Sequence, residues 1–208
     1  LTFAGIVTWI VHSLVEQNRQ IARFTVEQAE PLPAPPVRDS EKAALLGRLV
    51  AFAAAGGKDE GAQLELSVAD CNILLAIATD AGIGGEKDST PYPDLLRFTH
   101  FDARARLLRA DIRLPMNKLP WQEGKRFMAG SATSSPEIDN GSFIARIDGV
   151  SVPGKPVPDG FVRNLKVWDW LDVAKKKNAH VAAALKKVTA WRIAEDGTRL
   201  ALECGRPA

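Results

Sequence analysis

Residues 140–171 read NGSFIARIDGVSVPGKPVPDGFVRNLKVWDWL, and no other stretch of the chain indicates its fold so clearly. Asn140-Gly141 is a dipeptide typical of a two-residue hairpin turn. Apolar and polar side chains alternate from Phe143 to Asp148, which predicts a half-buried strand. The alternation shifts by one residue after Gly149, so we predict a β-bulge at Asp148-Gly149.

The second half of this stretch predicts a turn and a helix. Val152-Pro153-Gly154-Lys155 fits a type II turn, because proline fixes φ at the second position and glycine accepts a positive φ at the third. Asp159 is placed to cap the helix that follows. The apolar residues of this helix are spaced so that they share one face. They are Phe161, Leu165, Trp168 and Leu171.

Trp170 lies off this stripe, which makes the predicted helix apolar on more than one side. A helix that only covers a core needs one stripe, so a second one indicates a further apolar neighbour. The sequence therefore predicts a face for a ligand or a partner protein, formed by Phe161, Leu165, Trp168, Trp170 and Leu171. The alternative is that Trp170 packs on the lysine-rich segment after the helix.

The composition of the 208-residue chain, with 46% apolar and 25% charged residues, is that of a globular protein. The net charge is only +2, and the basic residues are not interleaved with aromatic ones, so no nucleic-acid partner is expected. His and Cys residues do not occur at ligand spacing, so we expect no metal and no cofactor. Cys71 and Cys204 could pair or remain buried thiols, and the second interpretation is favoured.

Residues 1–15 contain no Asp, Glu, Lys or Arg. A bilayer requires roughly 20 apolar residues, and the chain begins with Leu1 rather than Met, so we expect upstream residues to complete a membrane anchor. The alternatives are a buried core helix or the end of a signal peptide. The anchor would be formed by Phe3, Ile6, Val7, Trp9, Ile10 and Val11.

The domain organisation follows from this anchor and from a proline-rich run, PLPAPP, at residues 31–36. Proline prevents a regular helix and favours an extended spacer. We predict an anchor and helical stalk at residues 1–28, a linker at 29–37 and a domain at 38–208. The domain is expected to be α+β, with a bent, mostly antiparallel sheet of about five to seven strands and helices packed on one face.

Several local patterns define elements of this domain. Ser40 is predicted to cap a helix over Glu41–Ala55. Ser67 and Asp70 form a capping box after an alternating strand, and Asn72 is expected to hydrogen-bond the backbone of an adjacent segment. Two further expectations concern strands. Phe127 and Ala129 are expected to point inward, and Asp196-Gly197 is expected to form the type I′ turn of a C-terminal hairpin.

Four arginines lie on either side of a slip in the alternation at Leu107-Leu108, which indicates either a bulge or a tight turn. A row of arginines on a strand is usually a solvated face. The alternative is that they bind anionic lipid head groups or an acidic partner. These residues are Arg104, Arg106, Arg109 and Arg113.

No catalytic constellation emerges from the sequence, so we expect a protein that is not an enzyme. Ser131, Ser134 and Ser135 lie in a polar, turn-like stretch without a nearby histidine. Asp169 and Asp172 look like the polar side of an amphipathic helix.

The order of elements resembles that of the YpmS-like bacterial membrane-anchored extracytoplasmic proteins. The similarity covers residues 62–203. It includes a hydroxyl-x-x-acid-x-Asn-x-Leu-Leu helix start, matched by Ser67, Asp70, Asn72, Leu74 and Leu75, and a Gly-containing turn before a helix, matched by Val150 to Pro158. The chain departs from the pattern in its helix at Glu41–Ala55 and its long loop at Gly82–Pro93.

This resemblance implies a domain like the tubular lipid-binding domains, which bind amphiphiles and are not catalytic. We therefore expect a membrane-anchored, periplasmic or otherwise extracytoplasmic domain that binds a lipid, with the bilayer as its partner. The alternative is an accessory subunit that docks on a larger membrane assembly. That alternative is favoured by the apolar end of the Glu41–Ala55 helix, which would need a partner chain to cover it.

Overall fold

The structure is a computed structural model that describes residues 12, 15, 16, 18–32, 36–56, 61–80, 95–116, 126–166 and 169–205. The strands are β1 (Gln63–Ser67), β2 (Leu96–Asp102), β3 (Leu107–Met116), β4 (Arg126–Asp139), β5 (Ser142–Ser151), β6 (Ala190–Ile193) and β7 (Arg199–Glu203). The helices are α1 (residues 18–24), α2 (Asp39–Ala55), α3 (Val68–Asp80), α4 (Asp159–Leu165), α5 (Asp172–Lys177) and α6 (Ala179–Leu185).

The chain is α+β, as predicted, but its strands form two antiparallel sheets and not one. The larger sheet has the order β2-β3-β4-β5, and the smaller has the order β1-β7-β6. The prediction of a single bent sheet is wrong because β1 pairs with β7, Leu64 lying opposite Leu202, and not with the neighbouring strand β2. Both sheets contribute to one core, to which Leu64, Leu202, Phe143 and Ile147 belong.

The stretch that begins at Asn140 has the predicted turn, bulge and second turn. Asn140 and Gly141 both have positive φ, 51° and 70°, as a type I′ turn requires. Thr133 pairs with Gly149 and Ser134 with Ile147, so Asp148 is the extra residue of a bulge. The Lys155 N–H donates to the Val152 carbonyl over 3.1 Å, and Gly154 has a φ of 66°, which confirms the type II turn.

The helix predicted after Lys155 is present, but it has only two helical turns, and the prediction is wrong for the residues that follow. Helix α4 ends at Leu165 and Pro158 occupies its N-cap position, so Asp159 is the first helical residue and not the cap. The chain then returns to the edge of β5, where the Trp170 N–H donates to the Ala145 carbonyl over 3.1 Å. The Ala145 N–H donates to Asp169 Oδ1 over 3.0 Å. Helical spacing could not indicate this because both bonds join segments distant in sequence.

The helix-start predictions are confirmed at α3 and wrong at α2. The Ser67 N–H donates to Asp70 Oδ2 over 2.8 Å, and the Asp70 N–H donates to Ser67 Oγ over 3.1 Å. Helix α2 begins one residue before Ser40, with Arg38 as N-cap. The Arg38 N–H donates to Glu41 Oε2 over 2.9 Å, so a carboxylate in the first turn stabilises a start farther upstream.

Strands β3 and β4 differ from the predictions in two ways. The slip at Leu107-Leu108 reflects a tight turn at residues 103–106, in which Arg106 has a φ of 56°. Arg104 and Arg106 therefore lie in a turn and not on a strand face. In β4 the side chain that points inward is Met128, which is 0% exposed, while Phe127 lies 4.2 Å beneath the Arg113 guanidinium. The stretch containing Ser131, Ser134 and Ser135 belongs to β4 and is not turn-like.

The C-terminal hairpin is present as β6 and β7, but its turn is not type I′. Only Gly197 has a positive φ, 68°, whereas a type I′ turn needs two such residues. The Gly197 N–H donates to the Ala194 carbonyl over 2.8 Å. A Cβ atom on Gly197 would lie 2.7 Å from the Phe101 carbonyl oxygen, so the close approach of β2 also requires glycine here.

Residues 18–27, which we call the N-terminal arm, pack on the domain. Phe24 is 2% exposed, and its ring lies 5.2 Å from that of Phe161. Val26 and Phe127 exchange two backbone hydrogen bonds, of 2.8 and 2.7 Å. The arm thus pairs with the first residues of β4, which have no partner in β5.

Thr25 fixes the arm in place. It is 1% exposed, its hydroxyl accepts a hydrogen bond from Arg126 Nε over 2.7 Å, and its carbonyl accepts one from Lys155 Nζ over 2.7 Å. The domain boundary at residue 38 stays a prediction, but residues well upstream of it contribute to the core. Among the described residues, no helix combines the length and apolar character needed to cross a bilayer. Phe3, Ile6, Val7, Trp9, Ile10 and Val11 lie outside the described residues.

Candidate functional site

A groove of about 470 Å³ lies between α3, β2 and the N-terminal end of α2. We call it the α3–β2 groove. Its volume is in the range of roughly 300–1,000 Å³ that small-molecule sites occupy. Most of its wall is apolar and includes Val37, Val68, Ile73, Leu75, Leu96 and Phe98. Its polar wall residues are Glu41, Asn72, Arg97, Thr99 and Asp111.

Helix α3 forms this wall because it is apolar on two sides. Cys71, Leu74 and Ile77 point into the core. Ala69 is exposed and Ile73 is half-buried on the side of the groove. The capping box at Ser67 starts α3 directly after β1. One side of this helix packs on the core, and the other lines the groove.

Asn72 joins α3 to the edge strand β2. Its Nδ2 donates to the Phe98 carbonyl over 3.0 Å, and its Oδ1 accepts from the Phe98 N–H over 2.9 Å. This confirms the predicted bond to an adjacent backbone. An edge strand with free N–H and C=O groups can pair with another strand. At Phe98 both groups are already bonded to the Asn72 amide, so another strand cannot pair there.

Arg97 contributes a cation to the groove wall. Its side chain is half-buried, and within the described part of the chain it makes no ion pair or hydrogen bond. Glu41, by contrast, is held by the Arg38 guanidinium over 2.8 Å. Sequence reasoning missed Arg97 because it is a single arginine between two core residues, Leu96 and Phe98. The alternation of Leu96, Arg97 and Phe98, which indicates that Arg97 points away from the core, was the only signal of it in the sequence.

The outer face of β3 places two of the predicted arginines beside Arg97. Asp111 lies opposite Arg97 in the strand pairing, with Arg109 and Arg113 two positions away on either side. Arg109 pairs with Asp102 over 3.0 Å, and Arg113 packs on Phe127. Arg106 is elsewhere, in the hairpin turn, where it lies 4.5 Å from the Trp191 ring centroid. Arg104 is exposed in the same turn.

The aromatic face predicted for a ligand is mostly core. Leu165, Trp170 and Leu171 are only 6%, 8% and 8% exposed. Phe161 is half-buried against Phe24, and Trp168 lies outside the described residues. The ring of Trp170 lies 6.3 Å from that of Phe98. Trp170 therefore packs on the core side of a residue of the groove wall.

The surroundings of the cysteines and of Asp169 indicate structural roles for these residues. Both thiols are free and buried, as the favoured interpretation predicted. Burial, and to a lesser degree the Asp70 carboxylate, raise the pKa of the Cys71 thiol to about 12. Asp169 forms an ion pair with Lys175 and is not on a helix face with Asp172. No group of three His, Cys, Asp or Glu residues in the described ranges could hold a metal ion.

Comparison with known proteins indicates no function, so the α3–β2 groove is the basis for the functional proposal. No protein-family model, curated protein or solved structure matches the chain. The resemblance to the YpmS-like proteins therefore stays a prediction.

Proposed function

We propose that this domain is a non-catalytic module that binds an amphiphile, with the apolar part of the ligand in the α3–β2 groove. The observation that carries the proposal is the apolar wall that helix and sheet form around about 470 Å³. Burying apolar ligand surface there contributes roughly 25 cal/mol per Å² removed from water. Amphiphile binding without catalysis is also what the resemblance to the tubular lipid-binding domains implies.

Asn72 favours an acyl chain over an extended peptide as the occupant. A peptide that adds a strand to a sheet edge gains affinity from main-chain hydrogen bonds. At Phe98 the groups that would make those bonds are already paired with Asn72. An acyl chain needs only apolar contacts, which the half-buried Val68 and Ile73 supply in the wall.

The proposal includes an anchor in a bacterial membrane, with the domain on the extracytoplasmic side of that membrane. Because residues 18–27 pack on the domain, an anchor formed by residues 1–15 would hold the domain close to the bilayer. Liposome flotation tests this point. The full chain should float with vesicles, and a variant carrying Val7→Asp and Ile10→Asp should remain at the bottom of the gradient. Equal behaviour of the two proteins would contradict the anchor.

Titration with N-phenylnaphthylamine, an uncharged apolar fluorophore, tests the groove itself. Ala69 is exposed and lies in the groove wall, so Ala69→Trp fills the space without disturbing the core. We expect a loss of affinity of about tenfold, equivalent to about 1.4 kcal/mol. Ala183→Trp, at an exposed position on α6, is the matched control and should bind normally. Binding that survives Ala69→Trp would exclude this groove.

The alternative of an accessory subunit has lost part of its motivation. Leu45, Leu49 and Phe52 of α2 are buried in the core of the same chain. On the outward side, Val50 is 42% exposed, the exposed apolar residues near it are Gly47, Ala51 and Ala54, and Leu46 is half-buried against the core. An exposed face of small residues does not by itself require a partner chain.

A further inference from the structure

We propose that the ligand of the α3–β2 groove carries an anionic head group, which Arg97 contacts. This inference rests on the proposed function and adds the class of amphiphile. The anionic group is a carboxylate or a phosphate, since both present the oxygen geometry that a guanidinium fork matches.

Arg97 is the wall cation that is available to a ligand. Its partial burial reduces screening by water, so a charge-assisted bond formed there is stronger than one on an open surface. Two other cations nearby are engaged in ion pairs. Arg38 is bound to Glu41 over 2.8 Å, and Arg109 to Asp102 over 3.0 Å.

The charges around Arg97 also favour an anion. Asp111 is the carboxylate closest to it in the strand pairing, and it is exposed to solvent. Arg109 and Arg113 flank Asp111 on β3, and within the described residues Asp111 forms no ion pair. Arg113 has no ion pair among the described residues, and its Nε is buried there without a hydrogen-bond partner. With Asp102, the partner of Arg109, included, these three arginines and two aspartates carry a net charge of +1, which favours an anion near Arg97.

The nature of the groove wall explains why one end binds charge and the other does not. Val68 and Ile73 present apolar side chains to the groove, and a charge placed against them would lose its hydration without gaining a partner. An amphiphile with its chain on this surface and its head at Arg97 satisfies both parts of the site. A neutral head group would leave Arg97 unpaired.

Displacement of bound cis-parinaric acid by a matched set of competitors tests the inference. Dodecanoate and dodecyl phosphate have the same chain as dodecanol but carry an anionic head. We expect both anions to compete about tenfold better than the alcohol, the difference typical of a hydrogen bond to a charged group. The comparison between carboxylate and phosphate shows which head the site prefers.

Arg97→Gln should remove this preference by weakening the anions about tenfold and leaving dodecanol unchanged. Asp111→Asn should act in the opposite direction and strengthen the anions. Arg163→Gln, on an exposed residue of α4, removes the same charge elsewhere and should have no effect. If wild-type protein binds dodecanol and dodecanoate equally, or if Arg97→Gln weakens neither, the head-group inference is wrong and amphiphile binding stands. Failure to bind cis-parinaric acid or N-phenylnaphthylamine at all would overturn the proposed function itself.

Discussion

Asn72 and Phe98 are joined by two hydrogen bonds, in which a side-chain amide of α3 pairs with both backbone groups of one residue in the edge strand β2. The amide imitates a neighbouring strand at this point. The contact fixes the distance between helix and sheet at the groove, and it satisfies an N–H and a C=O beside buried Phe98.

Replacing Asn72 should therefore destabilise the fold. Asn72→Ala leaves both Phe98 groups unpaired, and we expect a loss of about 2 kcal/mol of unfolding free energy. Asn72→Asp keeps the acceptor for the Phe98 N–H and should lose less. Urea denaturation measures both effects, with Asn164→Ala, an exposed position on α4, as control. Equal stability of Asn72→Ala and wild type would show that water replaces the amide at no cost.

The N-terminal arm should be required for full stability. Phe24→Ala removes a side chain that is 2% exposed, and we expect a loss of roughly 3–5 kcal/mol, as for other buried Phe→Ala changes. A chain starting at Arg38 also loses the pairing of Val26 with Phe127 and should melt at a lower temperature than one starting at residue 16. Arg23→Ala, on the exposed side of the arm, is the control. Identical melts for the long and short chains would contradict this role of the arm.

Trp170 should behave as a core residue whose ring matters more than its indole N–H. It is 8% exposed, and its Nε1 has no hydrogen-bond partner in the described parts of the chain. We expect Trp170→Ala to cost roughly 3–5 kcal/mol, while Trp170→Phe should retain most of the stability. Thermal melts of the two variants provide the comparison. A large loss in Trp170→Phe would indicate that the indole N–H does have a partner.

Two hairpin aspartates should make stability fall in acid. The Ala105 N–H donates to Asp102 Oδ1 over 2.9 Å, and this bond, with Arg109, lowers the pKa of Asp102. The Thr198 N–H donates to Asp196 over 3.0 Å and lowers its pKa in the same way. A carboxylate whose pKa is lower in the folded state stabilises the fold above its unfolded pKa, about 3.9 for Asp. That contribution is lost as pH falls through the folded pKa.

The combination of Asp102→Asn and Asp196→Asn should therefore flatten the acid side of the stability profile. Denaturant unfolding between about pH 6 and about pH 2 covers the unfolded pKa of Asp and the range below it, in which these groups protonate in the folded state. Glu195→Gln, an exposed neighbour in the same turn region, should leave the slope as it is. An unchanged slope in the double variant would mean that other carboxylates cause the acid sensitivity.

Sequence by itself determined the local features of this protein. The turn at Asn140-Gly141, the bulge at Asp148 and the capping box of Ser67 and Asp70 were all predictable. Each depends on the backbone preferences or side-chain reach of residues within a few positions of one another. The bond made by Asn72 was predictable in kind, because a buried amide needs a polar partner, but its partner Phe98 was not.

Tertiary structure alone decided which faces are buried and where the groove lies. Trp170 is not part of the predicted helix because Asp169 and Trp170 pair with Ala145 of β5. Phe127 could point outward because the Arg113 guanidinium covers its ring. The pairing of β1 with β7 and the docking of Phe24 also join segments far apart in the chain. Such contacts depend on loop closure and shape complementarity, which residue spacing does not encode, and they place Arg97 and Ile73 in one wall.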